Sequence, residues 1–170
     1  MRWIAGLIAG LLLPAVAGAA EFALSSPHLE SGSMIPKVYT CDKGNMSPEL
    51  HWKNPPANTK SYALLGVAYD SPMGKIYGWV VYNIPLDLDF FPAGMKDYPS
   101  SVTVGPNSLG DSAYRGPCPP DSHLHHYAFL LYALDVDNLD ISADATPPEV
   151  VHAIEKHTLA QAELKGNYQH

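Results

Sequence analysis

His126–Leu134 has the sequence HYAFLLYAL, the strongest β-strand signal in the chain. Its apolar residues are nearly continuous, whereas a strand with one solvated face alternates apolar and polar residues. Because successive side chains of a strand point to opposite faces of a sheet, this pattern indicates burial on both faces. We therefore expect His126–Leu134 to be a central strand.

Three other segments also predict strands. Leu50–Lys53 alternates apolar and polar residues, Ser61–Ala68 is an apolar run, and Trp79–Ile84 is rich in aromatic and β-branched residues. The composition, with 16 Pro and 13 Gly in 170 residues, favours turns and excludes a helical bundle. Residues 85–124 predict a long loop that is either functional or braced by its own contacts. The sequence thus indicates a single, mainly β domain, with one sheet or a sandwich.

One helix is predicted near the end of the chain. Thr146 is the N-cap, Pro147 follows at the first helical position, and Glu149 completes a capping box. The apolar residues expected to share its buried face are Val150, Val151, Ile154, Leu159 and Leu164. Gly166 is the expected C-terminal stop, and the helix is expected to pack on the sheet.

The first twenty residues have the pattern of a secretory signal peptide. Arg2 supplies a positive charge, Ile4–Val16 is apolar, and Ala17–Ala20 offers a small-residue cleavage site. A membrane anchor is the alternative, but the apolar stretch is shorter than the roughly 20 residues of a span. We expect cleavage after residue 19 or 20, which leaves a domain of residues 21–170 that is periplasmic or secreted and has no transmembrane anchor.

The charge balance argues against nucleic-acid partners. The chain has a net charge of −7, and only 16% of its residues are charged. Removal of residues 1–20, which contain one Arg and no acid, makes the domain more acidic still. No basic run is present that could neutralise a phosphate backbone.

The two cysteines, Cys41 and Cys118, are an even pair in a chain predicted to enter an oxidising compartment. Disulfides persist in such compartments, and two buried free thiols are the alternative. A zinc site would need further His or Cys residues at ligand spacing. We expect a Cys41–Cys118 disulfide.

Asp121–Tyr127 is the densest polar cluster in the chain. Its three histidines could suggest a metal, but a structural metal site needs a closed ligand set, and no second His or Cys cluster is present. Strand alternation instead puts His125 and Tyr127 on one face and His126 on the other. Two hydrogen-bond donors aimed at one spot suit a small anion or a polar headgroup. Asp70, at the end of another strand, could orient the imidazole of His125.

Common catalytic motifs are missing from the sequence. It has no G-x-S-x-G elbow, no Gly-rich phosphate loop and no H-E-x-x-H pair. Ser47, Ser71 and Ser122 are loop serines that no motif marks as nucleophiles. The sequence therefore predicts no metal and no cofactor, and it favours a binding protein over an enzyme.

Seven motifs, in order along the chain, resemble the phosphatidylethanolamine-binding protein family. They are Tyr39–Trp52 (YTCDKGNMSPELHW), Asp70–Pro72, Trp79–Pro85 (WVVYNIP), Pro92–Gly94, Tyr114–Pro120 (YRGPCPP), His125–Asp135 (HHYAFLLYALD) and Leu159–Tyr168. The chain most resembles the bacterial branch that is also called Raf kinase inhibitor-like. The resemblance implies a β-sandwich-like fold with peripheral helices. It also implies a small anion pocket, which in family members accepts phosphate, acetate or a phosphoethanolamine headgroup.

Carried over position by position, the resemblance implies a pocket formed by a turn, a loop and the start of a strand. The matching residues are Asp70, Pro72, Gly116, Pro117, Pro119, Pro120, His125 and Tyr127. Three positions depart from the family pattern: Ala68 replaces an Asp, Gly78 replaces a His, and His126 replaces an Arg. The loss of that Asp and that His is expected to weaken anion binding and to widen the cavity.

The expected function is that of an exported, non-enzymatic protein that binds a small anion or a phosphoethanolamine-like headgroup. The family includes kinase-pathway modulators and protease inhibitors, so we also expect a protein partner in the envelope or on a host, which the protein modulates or inhibits. Family members often pair, so a homodimer is a candidate assembly. Two alternatives are a hydrolase with His125 as a base oriented by Asp70, and an interaction protein with a degenerate pocket.

Overall fold

The computed structural model describes residues 20–170, which form eight strands and one α-helix. The strands are β1 (Ala23–Ser25), β2 (Leu50–Lys53), β3 (Ser61–Ser71), β4 (Gly74–Pro85), β5 (Phe90–Phe91), β6 (Thr103–Val104), β7 (His125–Leu134) and β8 (Thr158–Tyr168). The α-helix is α1 (Pro147–His157), and Lys37–Tyr39 forms a 3₁₀ turn. The predicted signal peptide, residues 1–20, lies outside the described residues except for Ala20. Among the described helices, none is both long and apolar enough to cross a membrane.

The strands form two antiparallel sheets that pack against each other. The large sheet has the order β6-β4-β3-β7-β8, and the small sheet has the order β1-β2-β5. Trp52 and Phe91 of the small sheet join Trp79 and Phe129 of the large sheet in one buried cluster. The opposite face of the large sheet is covered by α1. The fold is therefore a single mainly β domain, as the sequence predicted.

Strand β7 is buried on both faces, as predicted. Phe129 and Leu131 point into the core between the two sheets, whereas Leu130 and Leu134 point towards α1. β7 pairs with β3 along one edge and with β8 along the other. It is thus an interior strand, although β3 holds the middle position of the five.

The start of α1 confirms the predicted capping box. The backbone N–H of Thr146 donates to the Glu149 carboxylate at 2.7 Å, and Pro147 occupies the first helical position. Val150 and Ile154 are buried against the sheet. These two residues anchor the helix on the outer face.

The predicted end of the helix at Gly166 is wrong, because α1 ends at His157 and the chain continues directly as β8. Leu159 and Leu164, assigned to a helical face, therefore belong to a strand. Ala162, Leu164 and Tyr168 are buried at period-2 spacing, while Leu159 is exposed. The free edge of β7 needs hydrogen-bond partners, and this pairing overrides the helical propensity of the segment.

The segment between β4 and β7 confirms the predicted long loop at residues 85–124. It contains only two strands of two residues each among the described elements. Its last part, residues 114–120, folds back over the end of the large sheet that carries the start of β7. This position makes it a wall of the cavity described below.

The predicted disulfide is present between Cys41 and Cys118, whose Cα atoms are 5.4 Å apart. It joins the segment that follows the 3₁₀ turn to the loop at residues 114–120. The bond therefore connects a cavity wall to a distant part of the chain.

Replacing both cysteines, Cys41→Ala with Cys118→Ala, is expected to lower the free energy of unfolding by about 4 kcal/mol. The physical reason is that the cross-link, between residues separated by 77 positions, restricts the unfolded chain. Urea unfolding of the oxidised native protein and of the variant measures the difference. Reductant should destabilise the native protein and leave the variant unchanged, whereas equal stability of the two oxidised proteins would contradict the prediction.

Candidate ligand-binding site

A cavity of about 460 Å³ lies where the β3–β4 turn and the start of β7 meet the loop at residues 114–120. The predicted site residues that line it are Pro72, Gly116, Pro117, Pro119, Pro120, His125 and Tyr127. Asp70, the remaining predicted residue, does not line it. The structure thus brings together residues from three distant segments, as the resemblance implied.

Strand β7 positions His125 and Tyr127 on the cavity side and turns His126 to solvent. His125 is 9% exposed, and Tyr127 is half-buried. Tyr127 pairs with Ala68 of β3 and with Gly166 of β8, so its backbone is fixed from both sides. The predicted alternation is confirmed, and a rigid element presents both side chains to the cavity.

Asp121, rather than Asp70, is the carboxylate partner of His125. Nε2 of His125 lies 3.0 Å from Oδ1 of Asp121. The hydrogen bond from His125 and the backbone N–H of His123 lower the pKa of Asp121 to about 2. Asp121 is therefore ionised near neutral pH and accepts, so Nε2 of His125 donates the hydrogen bond. The expectation that Asp70 orients His125 is wrong.

Asp70 instead fastens the end of β3 to the start of β7. Its Oδ2 accepts the backbone N–H of His126 at 2.9 Å and also contacts Nδ1 of the same residue. These hydrogen bonds lower the pKa of Asp70. Because the carboxylate of Asp70 accepts the backbone N–H of His126, it lies beside His126 and does not contact His125. Its role in this structure is to position β7.

Tyr127 contributes a neutral hydroxyl to the site. Burial, together with the nearby Asp70 carboxylate, raises the pKa of Tyr127 to about 12. Within residues 20–170, neither this hydroxyl nor Nδ1 of His125 forms a hydrogen bond with a protein group. Both atoms are free to bind a ligand. When both ring nitrogens of His125 carry a proton, Nε2 donates to Asp121 and Nδ1 can donate to an anion.

The wall at residues 114–120 is held by hydrogen bonds to the segment around the 3₁₀ turn. The hydroxyl of Tyr114 donates to the Tyr39 carbonyl at 2.7 Å, and the Gly116 N–H donates to the Asn45 side chain at 2.8 Å. An ideal Cβ at Gly116 would lie 2.1 Å from the Tyr39 carbonyl oxygen, so only glycine fits. Burial raises the pKa of Tyr114, which keeps its hydroxyl protonated. The wall is a fixed surface rather than a loose loop.

Two polar residues of the site were missed by the sequence analysis. Arg115 lines the cavity and is about half exposed, with its guanidinium 3.8 Å from Asp111. In the sequence, its role was indicated by its position in the YRGPCPP motif, next to Gly116 and Pro117, which match the family pattern. Asp121 stood in the predicted polar cluster four residues before His125, but its role depends on how the chain turns into β7.

The three clustered histidines do not converge on one point. His123 and His125 both contact Asp121, and His126 contacts Asp70. Elsewhere in residues 20–170, Cys41, Asp42 and His170 lie close together. Cys41 is in the disulfide and offers no thiolate, so this group lacks the ligands of a metal site.

A family model described as phosphatidylethanolamine-binding protein matches residues 25–169. The chain belongs to this family. It is 37% identical to a UPF0098 protein of Aquifex aeolicus over 158 residues, which cover 89% of this chain and 91% of that protein. It is 42% identical to a UPF0098 protein of Methanothermobacter thermautotrophicus over 137 residues, which cover 79% and 89%.

Two solved structures share the family fold. Escherichia coli YbcL, described as a new member of the mammalian PEBP family, superposes with a TM-score of 0.84 at 27% identity, covering 89% of this chain and 99% of YbcL. A PEBP homolog of Chlamydia trachomatis gives a TM-score of 0.79 at 32% identity, covering 88% of this chain and 97% of the homolog. The likeness extends over nearly the whole described domain.

Gly78, one of the departures from the family pattern, does not widen the cavity. The Arg115 N–H donates to the Gly78 carbonyl at 2.7 Å, and an ideal Cβ at Gly78 would lie 2.3 Å from the Arg115 carbonyl oxygen. The backbone of the wall therefore occupies the space that a side chain at position 78 would need. The expected gain in volume is wrong at Gly78, whereas Ala68 does line the cavity.

Asp121→Asn is expected to lower the melting temperature at neutral pH, with a deficit that shrinks as the solution is acidified. The ordinary pKa of 3.8 falls to about 2 in the folded protein, so the ionised carboxylate stabilises the fold at every pH above 3.8. This stabilisation is lost as the pH falls from 3.8 to about 2. Melting curves of both proteins across this range measure the effect. Asp87→Asn, at an exposed aspartate, is the control, and a pH-independent deficit for Asp121→Asn would contradict the assignment.

Gly78→Ala is expected to destabilise the protein by about 1–3 kcal/mol, the usual cost of overpacking. The new Cβ meets a backbone carbonyl of the braced wall, which cannot move away as a flexible side chain would. Gly78→His, which restores the family's residue, should be at least as destabilising. Urea unfolding measures both variants against Lys75→Ala, an exposed change on the same strand. Native-like stability of Gly78→His would contradict the prediction, because it would show that the backbone of the wall can move to make room for the side chain.

Proposed function

We propose that this protein is an exported, non-enzymatic member of its family that binds a compact anion, such as phosphate or a phosphorylated headgroup, at His125 and Tyr127. The observation that carries the proposal is the Asp121–His125 pair at the cavity, with the Tyr127 hydroxyl on the same face of β7. Family membership supports a ligand-binding fold. The anion is assigned from the chemistry of these side chains.

The site has the donors that an anion needs. His125 offers a donor to the cavity when both of its ring nitrogens carry a proton, and the neutral hydroxyl of Tyr127 adds a second donor. Arg115 also lines the cavity. The whole chain carries a net charge of −7, and both basic side chains of the site lie beside a carboxylate, His125 beside Asp121 and Arg115 beside Asp111. Recognition of an anion would depend on this local geometry rather than on long-range attraction.

The Asp121–His125 pair is also the arrangement of a general base, which keeps a hydrolase as a second candidate. A hydrolase that works through a covalent intermediate would need a nucleophile beside the base. Ser71 is the serine that lines the cavity within residues 20–170, and its oxygen accepts the Met73 N–H in the β3–β4 turn. This turn role favours binding over catalysis.

We propose that the protein performs this function after export to an oxidising compartment. The disulfide between Cys41 and Cys118 supports it, because such bonds persist in oxidising compartments. The signal-like N-terminal sequence points the same way. A protein partner in the envelope or on a host, which bound ligand could modulate, is part of this proposal.

Two-dimensional NMR titration of the oxidised protein with phosphate and then phosphoethanolamine tests the site. We expect saturable shifts at His125, Tyr127 and the wall at residues 114–120. His125→Ala should abolish them, and Tyr127→Phe should weaken binding roughly tenfold or more, the loss expected for a hydrogen bond to a charged group.

His126→Ala is the matched control, because His126 is on the same strand and faces away from the cavity. Its affinity should equal that of the native protein. Shifts that persist in His125→Ala would place the anion elsewhere. The absence of shifts at millimolar ligand would mean that the pocket has degenerated and that the protein acts through an interaction surface.

A further inference from the structure

Side chains that bind metals in other proteins meet at the disulfide from three distant segments of the chain. The ligand atoms of Cys41, Asp42 and His170 lie within 4.8 Å of one another. Cys118 joins this group because its sulfur is bonded to that of Cys41. All four residues are exposed, so a reductant and a metal ion can both reach them. We call these four residues the disulfide cluster.

The ring of His170 is held between two hydrogen-bond acceptors. Its Nδ1 lies 2.8 Å from Oδ1 of Asp42, and its Nε2 lies 2.8 Å from the carbonyl oxygen of Pro119. A neutral imidazole has a single N–H, so it can donate to only one of these oxygens. When Nε2 donates to the Pro119 carbonyl, the lone pair of Nδ1 faces a carboxylate oxygen. A cation between these two atoms would be bound by both, and a ligating histidine commonly donates its other N–H to a carbonyl in this way.

The carboxylate of Asp42 is oriented by residues outside the cluster. Its Oδ2 accepts hydrogen bonds from the hydroxyl of Tyr168 and from Nζ of Lys37. The other oxygen, Oδ1, is therefore the one that faces His170. Because Tyr168 and Lys37 hold the carboxylate from the far side, Oδ1 can exchange its contact with Nδ1 for a contact with a metal.

Reduction would give the cluster the thiolates that it lacks in the oxidised protein. A dithiol of the thioredoxin class breaks the S–S bond by exchange; it is oxidised to its own disulfide, and two electrons and two protons pass to Cys41 and Cys118. The wall has other attachments at this point. The Cys41 N–H donates to the Pro117 carbonyl at 3.1 Å, and the Gly116 N–H donates to the side chain of Asn45. These bonds keep the two thiols adjacent after reduction.

We propose that the reduced protein binds one Zn²⁺ at the disulfide cluster, through the thiolates of Cys41 and Cys118, Nδ1 of His170 and Oδ1 of Asp42. Sulfur, nitrogen and oxygen ligands of these kinds are those that zinc takes in tetrahedral sites. The ligand atoms around a tetrahedral zinc lie roughly 3–4 Å apart, so small rotations of the side chains close the cluster around the ion.

Zinc and the disulfide are alternative links between the same two segments. Binding releases the two thiol protons and leaves the oxidation state of the metal unchanged. The ion then connects Cys118, which lines the cavity, to the segment that follows the 3₁₀ turn, as the disulfide does in the oxidised protein. This inference goes beyond the proposed function and does not depend on the anion site.

Competition with a colorimetric chelator for Zn²⁺ measures the affinity of the oxidised and the reduced protein. The disulfide is reduced with a phosphine under native conditions and without oxygen, because thiol reagents would bind zinc themselves. We expect one Zn²⁺ per reduced chain, bound at least about a hundredfold more tightly than by the oxidised chain. Zn²⁺ should raise the melting temperature of the reduced protein only. Co²⁺ in its place should give a sulfur-to-metal charge-transfer band and the visible spectrum of a tetrahedral ion.

Variants of the reduced protein test the two ligands that are not cysteines. His170→Ala should weaken zinc binding by at least about tenfold, and Asp42→Asn should weaken it as well. His157→Ala is the matched control, because the side chain of His157 is as exposed as that of His170, at 38% against 37%, and its Nδ1 likewise contacts an aspartate, Asp135. Asp135→Asn is the control for Asp42→Asn. Both controls should bind zinc with native affinity.

Three outcomes would overturn the inference. Equal zinc affinity of the oxidised and reduced proteins would show that the thiolates are not ligands. Native affinity in both His170→Ala and Asp42→Asn would show that the two thiolates alone hold the metal. A reduced protein that loses its native fold and does not regain it with Zn²⁺ would show that the remaining hydrogen bonds of the wall do not keep the thiols together. Phosphate titration at His125 reports on the anion site separately, so either proposal can fail alone.

Discussion

The pairing of β7 with β3 on one side and β8 on the other is the constraint on which the rest of the structure depends. It fixes that His125, Tyr127 and Phe129 lie on the face of β7 that meets the cavity and the core between the sheets, whereas Leu130 and Leu134 face α1. A slip of one residue would exchange the two faces, burying the exposed His126 and expelling Phe129 from the aromatic core. The same register that packs the core therefore aims His125 and Tyr127, and core stability and site geometry cannot vary independently.

The second constraint is the attachment of the loop at residues 114–120. A loop of this length would ordinarily be mobile, but Tyr114, Gly116 and Cys118 are each tied to the segment around the 3₁₀ turn. The prolines beside them restrict the backbone further. Because the wall is held by residues some 70 positions earlier, the cavity exists only in the completed fold.

How well the sequence predicts a structural feature depends on how far apart in the chain the interacting residues lie. Strands such as Leu50–Lys53, the capping box at Thr146 and the shared face of His125 and Tyr127 depend on local periodicity, and they were predicted correctly. The end of α1 and the space at Gly78 depend on contacts between distant segments, and those predictions were wrong. The predicted partner of His125 was also wrong, because the contact with Asp121 depends on how the chain turns into β7. The sequence contains a period-2 pattern of apolar residues that ends at Tyr168, but its helical propensity is stronger, and pairing with the edge of β7 decides in favour of the strand.

The departures from the family pattern change the character of the cavity rather than remove it. At position 78 the family's His is replaced by glycine, and the wall backbone closes onto that glycine. At position 68 an ionisable side chain is replaced by the methyl group of Ala68, which becomes part of the lining. The polar groups of the proposed site are thereby concentrated at the Asp121–His125 pair and the Tyr127 hydroxyl. Because the proposed site lacks the Asp and the His of the family pattern, we expect it to distinguish ligands less by charge than a site that keeps both residues.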